Sequence, residues 1–319
     1  MTKPRQLKPI PLPAILSKAR RHKHMIENHP MGVTVAANMA IEDARRRMVL
    51  EHHPMKLGIA IQFWKGDKAE ALRLARFLAD LEPHHRGDVL LILASRFDIP
   101  ETDQDVRDAA FYCGRKFPTT HLRSGRIAEG HPAGCFGLWA GTAERCYELY
   151  SEKGWPLENV LFVEADGVPT RFDWIDWFKS LHQKNLDSGS RITGYRMEGS
   201  RDYPPHINGS LCMHMSAWPD YPSLHRCPGN QAWDCFHGQV LLGEAGRSPG
   251  ICNLYGAHDL SMSVFKTLAR DYAWVSSVKD ESAWECAQTL LPKNWKKLAR
   301  TVQPPKATPG LRNALARKR

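Results

Sequence analysis

The chain has 319 residues, 42% of them apolar, enough for one core of roughly 200 to 250 residues with extensions rather than two full domains. Its apolar runs, such as 89–94 and 160–163, are far too short to cross a bilayer, and its start lacks the apolar stretch of a signal peptide, so a soluble cytoplasmic protein is expected. The net charge of +10 sits at the ends: residues 1–56 hold 11 Lys/Arg against 4 Asp/Glu, residues 293–319 hold 9 against none, and residues 57–292 are left with 24 against 30.

Residues 1–56 read as a basic N-terminal helical arm, with helical patterns around 14–27 and 36–51. From Leu57 the pattern becomes a buried strand to Trp64. A helix follows, for which Asp67 and Glu70 have the spacing of a capping box, and residues 71, 74, 75, 78 and 81 form its apolar face. A second strand is predicted over Asp88–Ser95, then a polar stretch at Glu101–Asp108 and a third strand near Phe117–Leu122. The alternation is that of an α/β sheet. Residues 139, 142, 143, 146, 149 and 150 have helical spacing over Leu138–Tyr150. Trp155-Pro156 ends that helix, and a strand starts at Asn159. Short strands at 191–196, 210–215 and 251–255 come next, and a basic tail begins near 293.

Asn159-Val-Leu-Phe-Val-Glu164-Ala-Asp166-Gly-Val-Pro169 carries the strongest chemical signal. Four apolar residues make a central strand, and two carboxylates follow where it leaves the sheet. Alternation along a strand puts Glu164 and Asp166 on one side, about 6 to 7 Å apart. Hard oxygen donors so spaced suit one Mg²⁺ or Mn²⁺ bridging to a diphosphate, and ligands of open α/β sheets bind at the carboxyl ends of strands. The alternative is that the two acids merely end a strand and open an Asp-Gly turn.

His206-Ile-Asn208-Gly209-Ser210 offers an amide and a bare backbone suited to sugar hydroxyls, or else a hairpin turn. P-loop, glycine-rich dinucleotide, His-Glu-x-x-His and Gly-x-Ser-x-Gly patterns are absent. The eight cysteines lack paired spacings and read as reduced thiols without a structural zinc.

The Glu-Ala-Asp segment at the end of a strand resembles the metal-binding signature of the GT-A glycosyltransferases, and the likeness extends over roughly residues 57–260. It implies a GT-A (Rossmann-like) α/β fold with a mixed central sheet flanked by helices, and a nucleotide-diphosphate sugar, a UDP-sugar first, as donor with Mn²⁺ or Mg²⁺. By the same resemblance Asp166 is a metal ligand, and Glu164 a second ligand or a ribose contact. His258, in Asn253-Leu-Tyr-Gly-Ala-His258, is the late histidine ligand. Gln62, Phe63 and Trp64 face the nucleotide, with Arg123 and Arg126 within reach of the diphosphate, and Asn208 and Gly209 lie by the sugar. Asp234, in Gln231-Ala-Trp233-Asp234, is the catalytic base if the enzyme inverts, with Trp233 as an apolar wall. Gly134 to Gly141 either approaches the nucleotide or packs a helix.

The basic ends suit a polyanion. DNA bearing hydroxymethylated pyrimidines, as in bacteriophage DNA glycosylation, is the acceptor this combination favours, ahead of a glycan or a protein. Solvated tails are the plain reading of the same charges. The rival classes are a sugar-phosphate nucleotidyltransferase, for which Gln62–Asp67 has too few glycines, and a non-catalytic nucleic-acid-binding protein.

Overall fold

Every residue of Leu57–Phe63 (β1) and of Val89–Ser95 (β2) is buried, and each run is apolar almost throughout. Strands covered on both faces belong at the centre of a parallel sheet. In the computed structural model, which describes residues 56–151, 157–199, 204–226, 232–247, 249–278 and 280–292, they stand there. The predicted N-terminal arm, basic tail and Trp155-Pro156 stop lie outside the described residues.

Helix α1 (Lys68–Leu81) follows β1 and buries the apolar face predicted for it. The capping box does not form. Asp67 occupies the N-cap, but its Oδ1 accepts from the Trp64 N–H at 2.7 Å, so the carboxylate closes the turn behind the strand instead of serving the helix. After β2 the polar stretch becomes α2 (Gln104–Cys113), capped by the Asp103 side chain on the Val106 N–H at 3.1 Å. Then come β3 (Thr119–Arg123), α3 (Cys135–Ser151) and β4 (Asn159–Glu164).

The six-stranded sheet has the order β3-β2-β1-β4-β7-β6, with β6 at Ile192–Met197 and β7 at His206–His214. β3, β2, β1 and β4 run parallel, and β7 is antiparallel to both of its neighbours. One face packs against α1, α2 and α4 (Trp174–Asp187), the other against α3 and α5 (Trp233–Leu242). A mixed α/β sheet flanked by helices is the fold class expected.

A three-stranded sheet that the sequence pattern does not announce has the order β5-β9-β8. It joins β5 (Val168–Pro169), β8 (Ile251–Asn253) and β9 (Trp274–Ser276), with α6 (Met262–Asp271) and α7 (Ser282–Gln288) beside them. The seven described cysteines are free thiols. None of the described helices is long and apolar enough to cross a membrane.

Candidate functional site

The chain builds β1, β2 and β3 outward in one direction and then returns to place β4 on the other side of β1. At such a reversal the loops leaving the two central strands diverge and open a crevice at their carboxyl ends. The β1 end delivers Gln62, Trp64 and Asp67, and the β4 end delivers Glu164 and Asp166. In the pairing of the two strands Gln62 stands beside Glu164.

Alternation sorts the predicted β1 residues. Phe63 points into the core on the α1 side and is fully buried, so its part is structural; only its carbonyl works at the rim, accepting from the Arg96 N–H at 2.9 Å. Gln62 points the other way, is buried, and its Nε2 has no hydrogen-bond partner among the described residues. Trp64 lies half-exposed at the mouth, with the Arg96 guanidinium 5.0 Å from its ring. Arg96, unremarked in the sequence, is held by Asp98 at 2.5 Å.

Burial pushes the Asp67 carboxyl up to about 6; the Trp64 N–H opposes this, and Glu70 and Asp166 add to it. Asp67 and Asp166 therefore lie near enough to feel each other across the crevice. Cys135, at the start of α3, has its thiol raised by partial burial and then by the Glu164 carboxylate, against Arg96, with smaller contributions from Asp234 and Asp67. Glu164, Arg96, Asp234 and Asp67 therefore all lie near this thiol.

The second wall is β7. Continuing the β4–β7 register brings Gly209 opposite Glu164. A methyl group on Gly209 would lie 3.1 Å from Trp233 Cζ2 and 3.5 Å from Glu164 Oε1. Trp233 is stacked on Trp139 at 4.0 Å between ring centres. Asp234 stands beside it in the first turn of α5, its Oδ1 accepting from the Cys235 N–H at 3.0 Å. His206-Ile-Asn208-Gly209 is no hairpin turn: it lies within β7, and the buried Asn208 side chain accepts from the Ser210 N–H at 3.1 Å.

Three predicted residues have partners elsewhere. Arg123, on the edge strand β3, donates from Nε to the Phe97 carbonyl at 2.9 Å. Arg126 pairs with Glu144 and donates to the His225 carbonyl at 3.1 Å. His258 lies largely exposed beside Asp280, with Nδ1 3.7 Å from its carboxylate. Gly141 lets α3 meet Ser124, whose Oγ would be 2.1 Å from a Cβ there, whereas a Cβ on Gly134 would lie 3.2 Å from Arg96 Nη1, so one end of the segment packs a helix and the other faces the rim. No group of three or more His, Cys, Asp or Glu side chains among the described residues is arranged to hold a metal ion. As donors, Glu164 and Asp166 are hard oxygen ligands of the kind Mg²⁺ and Mn²⁺ take.

No family model matches the chain, and no curated protein matches it by sequence. Among solved structures it is similar to the glycosyltransferase GlyE of Streptococcus pneumoniae TIGR4, with a TM-score of 0.45 and 12% identity over 79% of this chain and 66% of that one. It is also similar to S. aureus TarS, with a TM-score of 0.39 and 12% identity over 74% of this chain and 39% of that one. The chain thus spans less than two thirds of either protein. At these scores the likeness says nothing about activity.

Proposed function

We propose that this chain is a GT-A-type glycosyltransferase that moves a sugar from a nucleotide diphosphate to an acceptor hydroxyl. The observation that carries the reading is the gathering of Asp67, Glu164 and Asp166, with Trp64 beside them, at the carboxyl ends of β1 and β4 where the strand order reverses. Trp64 would stack the base, and the Gln62 amide, without a partner among the described residues, would donate to the nucleoside. A divalent ion on Asp166 and Glu164 would offset the charge of the departing diphosphate. In an inverting course Asp234 takes the acceptor proton as the acceptor oxygen bonds to the anomeric carbon and the bond to the diphosphate oxygen breaks.

For the acceptor we propose a hydroxymethylated pyrimidine in DNA. The support is the concentration of 20 Lys/Arg against 4 Asp/Glu in residues 1–56 and 293–319, which suits a phosphate backbone. A duplex base would have to be flipped out, at a cost of a few kcal/mol that phosphate contacts offset.

The deciding experiment follows nucleoside diphosphate release from a panel of sugar nucleotides with Mn²⁺, with and without DNA containing 5-hydroxymethylpyrimidines, for the natural protein and Asp166→Ala. Release stimulated by that DNA and lost in the variant is expected. Release indifferent to DNA would move the acceptor to a glycan or protein. No release from any donor, together with salt-dependent DNA binding, would make the chain a nucleic-acid-binding protein instead.

A further inference from the structure

Asp166 stands at the seam of the two sheets. Glu164 ends β4 in the large sheet, and Val168 opens β5 in the small one. Whatever fixes the sheets to each other at this point also fixes Asp166. The turn closes through the Gly167 N–H, which donates to the Glu164 carbonyl at 3.2 Å. Gly167 is not among the glycines with positive φ, so its lack of a side chain answers a need other than backbone freedom.

That need is Trp274. A Cβ on Gly167 would lie 2.4 Å from Trp274 Nε1, 2.8 Å from Cε2 and 2.9 Å from Cζ2. The indole is fully buried, sits on β9 paired to β5 through Pro169, and is backed by Trp174 at 5.3 Å between ring centres. Its Nε1 is buried with no hydrogen-bond partner among the described residues, a cost that polar atoms in a folded core seldom carry.

We infer that Trp274 is the positioning residue of the site: its ring, packed on the bare face of Gly167, sets the place of Asp166 at the crevice. The inference rests on the transferase reading, in which Asp166 acts at the donor diphosphate. The small sheet then has a task in the chemistry without contributing a reacting group.

The test uses the full chain carrying Gly167→Ala, Trp274→Phe, or Gly167→Ala with Trp274→Leu. Three quantities are read: donor KM and kcat, hydrogen–deuterium exchange of the 164–168 amides, and melting temperature. Gly167→Ala should lower kcat/KM on the order of ten- to a hundredfold, as expected for a displacement near 1 Å, with faster exchange at the turn. Adding Trp274→Leu, which removes all three contacting atoms, should recover most of both. Trp274→Phe should loosen the turn and raise donor KM severalfold. Natural kcat/KM and exchange in Gly167→Ala and Trp274→Phe, or a folded double variant that recovers nothing, would overturn the inference. Should the natural protein turn over no sugar nucleotide, the transferase reading fails instead, and unchanged exchange in Trp274→Phe would still sink the contact on its own.

Discussion

Single residues at this crevice are held in states that a stability-driven sequence would avoid. Asp67 is the clearest. Its folded value of about 6 lies above the usual 3.8, so its contribution to stability is complete below about pH 4 and is lost as pH rises through 6. Above that it is a charge confined among other carboxylates. Asp67→Asn keeps an oxygen for the Trp64 N–H and removes the charge, so the variant should melt higher than the natural protein at pH 8, with the gap closing toward pH 4, while donor turnover falls. Calorimetry across that range checks it. The neighbouring Gln62 gives a parallel expectation. An amide buried without a partner is destabilising, so Gln62→Leu should leave the melting temperature equal or higher and raise donor KM.

At the scale of elements, helix α5 sets the second wall. It lies directly on β7 because Gly238 has no side chain: a Cβ there would be 2.6 Å from the Ile207 carbonyl oxygen and 2.9 Å from its nitrogen. Backbone cannot yield cheaply. Gly238→Ala should cost about 1 to 3 kcal/mol, the usual range for overpacking, read from the urea midpoint, and should move Trp233 and Asp234 away from Glu164. The stack of Trp233 on Trp139 joins α5 to α3 across the same face of the sheet, so strain at Gly238 reaches both helices.

Across the whole molecule, one buried histidine ties the central sheet together. His182 on α4 bonds through Nδ1 to Thr193 Oγ1 at 2.7 Å and through Nε2 to Asn159 Oδ1 at 3.0 Å, linking β6 and β4. Burial, with His214 adding, pushes it down to about 3, below the usual 6.5. It therefore has no effect above about pH 6.5, and stability falls as pH drops from there toward 3, by about 1 kcal/mol per pH unit. Urea unfolding between pH 7 and 5 should show that slope, and His182→Gln should flatten it. A second whole-chain expectation concerns charge. On the proposed DNA acceptor, replacing Lys293, Lys296 and Lys297 by Gln should weaken DNA binding and lower its salt dependence, with donor turnover in the absence of DNA unchanged.

Much of this protein can be read from its residues one stretch at a time. Short, bounded apolar runs at 57–63, 89–95 and 159–163 suit central strands by their length, and the spacing along 71–81 gives one apolar helix face, because these signals are local. The same logic puts Glu164 at a strand's end. Other features depend on residues far apart in the chain. The strand order, and hence the crevice between β1 and β4, is a pairing outcome that no local period encodes. Asp67 has the spacing of a helix cap, yet its carboxylate accepts from the Trp64 N–H instead, and Asp166, about a hundred residues on, lies close enough to act on its charge. Asn208-Gly209 has the signature of a turn, yet it lies inside β7, between residues paired to β6, where the missing side chain makes room for Trp233 and Glu164. Gly167 follows Asp166 as a turn glycine would, but its reason is the indole of Trp274, more than a hundred residues distant. Local chemistry determines what each segment can form; which side chains share a crevice follows only from long-range packing, whose contacts leave no period in the sequence.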